Sequence, residues 1–185
     1  MIHLVLGRQG SGKTLFLVRQ AYLAYKKGKK IYSNIKLNFP FNQLDYQDII
    51  DCKYHDAIIL LDEVAQLLPA RRSMKKSSVS IVDGFLSMAR KLNVEIWGTT
   101  QTPRKVDVRF REEADYVYFC DKFAFKNYQW MKVLHNQNLP VDVPLMVSLQ
   151  VIETITEQQI KYSFLANPYF SMYDTKQIIK VRGLD

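Results

Sequence analysis

Cysteine, histidine and long apolar runs are all scarce in this chain of 185 residues. Cys52 and Cys120 are isolated, without C-x-x-C spacing, and His3, His55 and His135 are scattered. Neither a disulfide framework nor a zinc site is indicated, and reduced cytoplasm is the expected compartment. No apolar stretch approaches the ~18 residues a membrane-crossing helix needs, and the chain enters strand and loop with no basic leader. A soluble protein with no membrane span of its own is therefore expected. Internal repeats and low-complexity segments are lacking too. Glycine is sparse, at seven residues, yet three of the seven fall at positions 7, 10 and 12.

Those glycines belong to Gly7-Arg8-Gln9-Gly10-Ser11-Gly12-Lys13-Thr14, which fits the phosphate-loop pattern G-x-x-x-x-G-K-[ST]. The neighbours fit as well. Ile2 to Leu6 reads as a buried strand, and Leu15 onward reads as a helix. At ordinary composition the four fixed positions would recur by chance in such a chain on the order of 1% of the time. Glycine lets the backbone curl around phosphates with several N–H groups pointing inward, at the positive end of the following helix. Lys13 is expected to reach the β- and γ-phosphates and Thr14 to place its hydroxyl on Mg²⁺. ATP is the expected ligand.

Size and make-up, 48% hydrophobic and 24% charged, are those of one α/β domain with a sizeable core. A net charge of +8 and a pI near 9.4 point to an anionic partner beyond the nucleotide, with DNA or RNA the usual candidates. Charge of this size also occurs in proteins that bind no nucleic acid, so its placement matters more than its sum.

Along the chain, Leu15, Val18, Tyr22 and Tyr25 share a helical face, and the helix stops at Lys26-Lys27-Gly28. Ile31 to Ile35 reads as a strand and Gln43 to Ile50 as a short helix, with Asp45, Asp48 and Asp51 as surface charges. Ala57-Ile58-Ile59-Leu60-Leu61-Asp62-Glu63 is a continuous apolar run ending in two carboxylates, which reads as a buried parallel strand whose C-terminal edge meets the nucleotide. Asp62 is expected to hold Mg²⁺ through water, and Glu63 to polarise the water that attacks the γ-phosphate. Polar capping of a strand is the plainer alternative. Residues 69–78 form a basic, serine-containing exposed loop, with four cations from Arg71 to Lys76 placed to track DNA phosphates. A helix with Ile81, Phe85, Met88 and Leu92 on one face follows, and then a strand from Val94 to Gln101 ending in hydroxyls and an amide. Such groups could sense the γ-phosphate or merely make a turn. Tyr116–Phe119, Tyr128–Leu134, Leu145–Ile152 and Gln158–Leu165 read as strands of an antiparallel extension. Its aromatics, including Tyr162, Phe164, Tyr169, Phe170 and Tyr173, could stack on bases, but aromatics on strands are far more often core, and no binding role is assigned to them.

Taken together, the phosphate loop, YSNI around Asn34, IILLDEVAQLLPARRS and ARKLNVEIWGTTQTPRKVDVRFREEADYVYF resemble the Zot-type ATPases, also typified by the filamentous-phage assembly protein, within the FtsK/HerA group of DNA-translocating motors. The resemblance covers residues 1–121, with a further match at YFSMYDTKQ, 169–177. It implies a RecA-like (ASCE) P-loop fold, a mainly parallel sheet flanked by helices, with residues 1–121 as nucleotide-binding core and 122–185 as a β-rich extension of the same domain. It also implies an ATP-driven motor on DNA, a hexameric homo-oligomer, and Gln101 as the sensor between nucleotide and DNA-contacting parts. An arginine donated across a subunit interface is implied as well, with Arg90 and Arg109 favoured over Arg71 and Arg111. Zot-type chains carry a membrane helix after the ATPase domain and none follows here, which favours packaging or DNA transfer for a virus or mobile element. Two other classes stay open: a small-molecule phosphotransferase, which would have no use for Glu63 beside Asp62, and a non-motor assembly or scaffold protein, in which Lys13, Thr14, Asp62 and Glu63 need not have survived together.

Overall fold

The computed structural model describes residues 1–51, 53–66, 84–87, 89, 91–124 and 145–174. Its centre is a sheet of β1 (Ile2–Leu6), β2 (Lys30–Ser33), β3 (Asn42–Gln43), β4 (Ala57–Leu61), β5 (Glu95–Thr100), β6 (Tyr116–Ala124), β7 (Leu145–Glu153) and β8 (Gln159–Leu165). The order is β3-β2-β4-β5-β1-β6-β7-β8. Every pairing from β3 to β6 is parallel, and β7 and β8 join antiparallel.

Hydropathy patterning accounts for this change of direction. Ala57 to Leu61 is buried throughout, because both faces of a parallel sheet are covered by crossover helices and each face needs its own apolar residues. Ile58 and Leu60 join one core with Val5, Trp97 and Phe16, while Ile59 and Leu61 join the other with Ile2, Leu4, Ile96 and Phe110. In β7, by contrast, Val147, Leu149 and Val151 are buried and the residues between them are half-buried, the period of two expected when one face is better covered than the other. The fold is thus a P-loop-type α/β sheet with an antiparallel extension, as the patterning indicated.

Helix α1 (Lys13–Lys26) packs on the first core through Phe16, Leu17, Val18, Ala21 and Ala24. Its buried stripe differs from the expected one. Leu15 and Val18 are inside, but Tyr22 is half-buried and Tyr25 exposed, and both rings meet Phe39 on the flank of the helix. Small Ala21 and Ala24 let the helix sit close to the sheet, so the bulky rings turn outward. β2 stops at Ser33, short of Ile35, because Asn34 turns to bind β4's end. Helix α2 (Tyr46–Ile50) begins later than expected, with Asp45 accepting from the Gln47 N–H as its cap, and Asp48 and Asp51 both pair with Lys53. Residues 84–87 are helical, with Phe85 and Leu86 buried; Ile81 and Met88 lie outside the described residues, as do the loop at 69–78 and the strand expected at 128–134. Helix α3 (Val108–Glu112) follows β5 and was not anticipated. Among the described residues, no helix is long and apolar enough to cross a membrane.

Candidate active site

The parallel strands deliver their C-terminal ends to one edge, and β1 runs straight into the phosphate loop there. Gly12 closes that loop with φ +98° and passes directly into α1, its carbonyl accepting from the Phe16 N–H at 2.9 Å. A left-handed residue at this position suits glycine alone, and there is no room for more: a β-carbon would stand 2.8 Å from Val147 Cγ2. Gly7 is required for approach rather than for dihedral reasons, since a β-carbon there would lie 2.6 Å from the Cys120 carbonyl oxygen. The loop therefore rests on β6 and β7. Cys120 adds a contact from its thiol to the Ser11 carbonyl at 3.2 Å, and burial pushes that thiol up to about 11, leaving it unreactive.

No side chain caps α1 and no acid sits in its first turn. Its first N–H groups and the positive end of its dipole are thus left to the loop and the cavity in front of it, which favours an anion. Lys13 reaches back under the loop, 7% exposed, and donates to the carbonyls of Gly7 and Arg8, each at 3.0 Å. Arg8, Gln9 and Gly10 are exposed at the rim, whereas Ser11 is buried.

Asp62 and Glu63 follow β4 and meet this loop. The Thr14 hydroxyl donates to both Asp62 carboxylate oxygens, at 3.0 and 3.1 Å, and the Thr99 hydroxyl donates to Oδ1 at 2.7 Å. Asn34 fixes the Asp62 backbone on both sides: its Oδ1 accepts from the Asp62 N–H at 2.9 Å and its Nδ2 donates to the Asp62 carbonyl at 2.8 Å. Burial raises the Asp62 carboxyl above its usual range, against the Thr99 and Thr14 hydroxyls and the Lys13 ammonium, which work the other way. Glu63 is held at φ +52°, a strained conformation for this residue. Its N–H donates to Thr99 Oγ1 at 2.8 Å, and Thr100 Oγ1 donates to its Oε1 at 3.2 Å. One hydroxyl pair at the end of β5 thus orients both carboxylates.

A threonine hydroxyl and an aspartate carboxylate in contact make a hard-oxygen pair of the kind Mg²⁺ takes, and the glycine loop with its buried lysine fits a polyphosphate. The residues present suit both groups.

The remaining expected site residues are placed differently. Gln101 is exposed, one residue past β5. Arg90 lies outside the described residues. Arg109 is turned inward, 7% exposed, and its Nε and Nη2 donate to the two carboxylate oxygens of Asp107 at 2.8 and 2.9 Å. Asp107 is itself fully buried and also caps α3 by accepting from the Arg109 N–H at 2.9 Å. In this chain the guanidinium is thus engaged by Asp107, and a role across a subunit interface would require it to leave that pair. Lys122, on β6, was not anticipated; its Nζ stands 3.5 Å from where a Gly10 β-carbon would be, at the mouth of the loop. Tyr173 was read as core and packs against the first core, and it also lines the same cavity; burial and the Asp62 charge push its hydroxyl up to about 12. Neither has a motif that could have exposed it, since each reaches the loop from the extension.

The family model described as zonular occludens toxin (Zot) matches residues 40–177. Among solved structures, the N-terminal domain of zonular occludens toxin from Neisseria meningitidis is similar over 94% of this chain and 98% of its own, at 19% identity and a TM-score of 0.63. The genome-packaging NTPase B204 of Sulfolobus turreted icosahedral virus 2, solved with ATP-gammaS, is similar over 87% of this chain and 96% of its own, at 12% identity and a TM-score of 0.56. A DnaB-like replicative helicase is similar over 88% of this chain and 54% of its own, at 14% identity and a TM-score of 0.52. At these identities the likeness is one of fold. A comparison with curated protein sequences finds no match.

Proposed function

Because this chain belongs to the zonular occludens toxin (Zot) family, as its match over residues 40–177 establishes, we propose that it is an ATP-hydrolysing motor of FtsK/HerA type that moves DNA. One observation carries the reading. Lys13, Thr14, Asp62 and Glu63 converge at the C-terminal edge of the parallel strands, with Thr99 and Thr100 orienting both acids. Thr14 and Asp62 are the residues that would hold Mg²⁺, which when bound would supply charge neutralisation to the phosphates. The loop N–H groups and Lys13 cradle the same phosphates. Glu63 orients a water and takes its proton as the water oxygen bonds to the γ-phosphorus and the bridging P–O bond to ADP breaks. The Thr100 hydroxyl, donating to Oε1 at 3.2 Å, orients that carboxylate.

The motor is a homo-oligomer, a hexamer, in which Gln101 senses the nucleotide from the end of β5 and Arg90 reaches the neighbouring subunit's site. The nucleotide-binding core, 1–121, and the extension, 122–185, act as one domain. The process served is genome packaging or DNA transfer for a virus or mobile element, in the cytoplasm of the host. B204, which is similar in fold, is a genome-packaging NTPase. Measuring phosphate release with and without single- and double-stranded DNA, with sedimentation of the same samples, tests this reading. Hydrolysis should rise with DNA, and specific activity should climb with protein concentration as rings form. Mixing Arg90→Ala with Glu63→Gln subunits should restore part of the activity at mixed interfaces. A monomer whose hydrolysis ignores DNA and concentration rules out the motor.

A further inference from the structure

The phosphate-loop cavity has a wall that the hydrolytic residues do not use. Its volume is about 370 Å³, and past Lys13, Thr14 and Asp62 it is lined by Ile35, Leu145, Val147, Phe170, Tyr173 and Asp174. One end, with Lys13 and Lys122, is cationic and rich in N–H groups; the other is aliphatic and aromatic apart from the Asp174 carboxylate. Such a cavity suits a ligand with an anionic end and a flat, weakly polar end.

The aromatic part comes from the 3-10 segment Asn167–Met172 and the residue after it. Phe170, within the segment, and Tyr173, extended just past its end, both line the cavity. Tyr169 instead packs toward α1, its ring 5.9 Å from Phe164 with the Arg19 guanidinium 5.9 Å above it. Both ends are fastened. At the start, Ala166 N–H donates to the Leu145 carbonyl at 2.8 Å, and Asn167 Oδ1 accepts from the Leu145 N–H at 2.9 Å. At the finish, Leu37 and Tyr173 form an antiparallel bridge, and Asn38 donates from its backbone to the Met172 carbonyl at 2.8 Å and from Nδ2 to the Ser171 carbonyl at 2.6 Å. A large aromatic residue, Phe170, is left 44% exposed on a fixed backbone beside the loop. Core packing gives no reason for that exposure.

We propose that residues 167–174 form the nucleoside seat of the site, the base lying against Phe170 with half-buried Leu145 as its aliphatic floor, and Tyr173 flanking the sugar. Nucleotide affinity is thereby made to depend on the C-terminal segment, which is tied through Leu37 and Asn38 to the turn after β2 that holds Asp62. This inference rests on the nucleotide reading above and names the part of the chain that reads the nucleoside.

The test compares Mg-ATP with tripolyphosphate, which has the phosphates and no nucleoside, by titration calorimetry. Phe170→Ala should weaken ATP about fivefold or more, the scale of one lost base-to-aromatic contact, while tripolyphosphate stays within about twofold. Phe170→Tyr, which keeps the ring, should restore ATP affinity. If ATP affinity is unchanged in Phe170→Ala, or ATP and tripolyphosphate weaken in parallel, the seat is refuted. Should the wild type bind tripolyphosphate as tightly as ATP, the seat fails while the phosphate site stands. A wild type that binds neither ligand overturns the phosphate-loop reading and the seat together.

Discussion

Substituting Gly12 by alanine probes how tightly the phosphate loop is built into the fold. Two separate costs arise. The first is dihedral, since φ +98° drives a β-carbon toward the backbone at about 1–2 kcal/mol. The second is steric: the new carbon would lie 2.8 Å from Val147 Cγ2, where carbon atoms prefer about 3.5–4.0 Å, and Val147 is fully buried between β6, β8 and α1. Overpacking of that kind costs about 1–3 kcal/mol. The total of roughly 2–5 kcal/mol is a large share of the 5–15 kcal/mol typical of whole domains, so a clear drop in the urea midpoint is expected. Tripolyphosphate affinity should fall with it, because the loop must shift to make room. Val147→Ala separates the two costs. In the double variant the steric part is relieved and the dihedral part remains, giving a favourable coupling of about 1–3 kcal/mol. An alanine variant as stable as the wild type, or a cycle with no coupling, refutes the reasoning.

Further outcomes follow from the buried polar groups. Removing the Asp107 carboxylate (Asp107→Ala) should cost about 3–5 kcal/mol by taking the two-oxygen carboxylate contact from the buried Arg109 guanidinium; Arg109→Met should cost less, and its hydrolysis per folded molecule should match wild type at low temperature if the pair is structural. Asn34→Ala leaves the Asp62 N–H without its acceptor and should cost roughly 2 kcal/mol in urea titrations, with slower hydrolysis as Asp62 moves. His3 is stacked 3.8 Å from Trp97, and burial holds its imidazole down at about 4, with the terminal ammonium adding to the effect and Glu95 and Asp115 opposing it. Since the unfolded chain protonates near 6.5, stability should be full above that pH and decline by roughly 3 kcal/mol as pH falls through 4. His3→Phe should flatten that part of the pH profile. A pH-stability curve unchanged by His3→Phe would assign the decline to other groups.

Much of the sheet was legible because burial on two faces and burial on one face leave different periodicities, and β4 and β7 differ in that way. The phosphate loop and the two acids were legible because their chemistry demands fixed residue types at fixed places along one strand–loop–helix unit. What escaped depends on tertiary neighbours. Arg109 sits in a charged stretch that reads as surface, and nothing in the local pattern reveals that Asp107 is buried and folds the guanidinium back on itself. Tyr22 and Tyr25 satisfied helical spacing equally well, and small Ala21 and Ala24 decided which stripe went inside. Thr99 and Thr100 were visible as a hydroxyl cluster, but only the register of β4 beside β5 gives one the Asp62 carboxylate and the other that of Glu63. Phe170 followed the general habit of aromatic residues in its reading as core, and its exposure comes from the two clips that fix the segment's path.

The central claim is that this edge of the sheet binds ATP and hydrolyses it with Glu63 as the residue that activates water. Its most direct test is a paired measurement on Glu63→Gln, with Lys13→Ala alongside: equilibrium binding of Mg-ATP, and phosphate release under single-turnover conditions. Binding by Glu63→Gln should stay within about threefold of wild type while release falls by about 10²-fold or more, and Lys13→Ala should lose both. Phosphate release by Glu63→Gln at the wild-type rate would contradict the account and remove Glu63 from the chemistry.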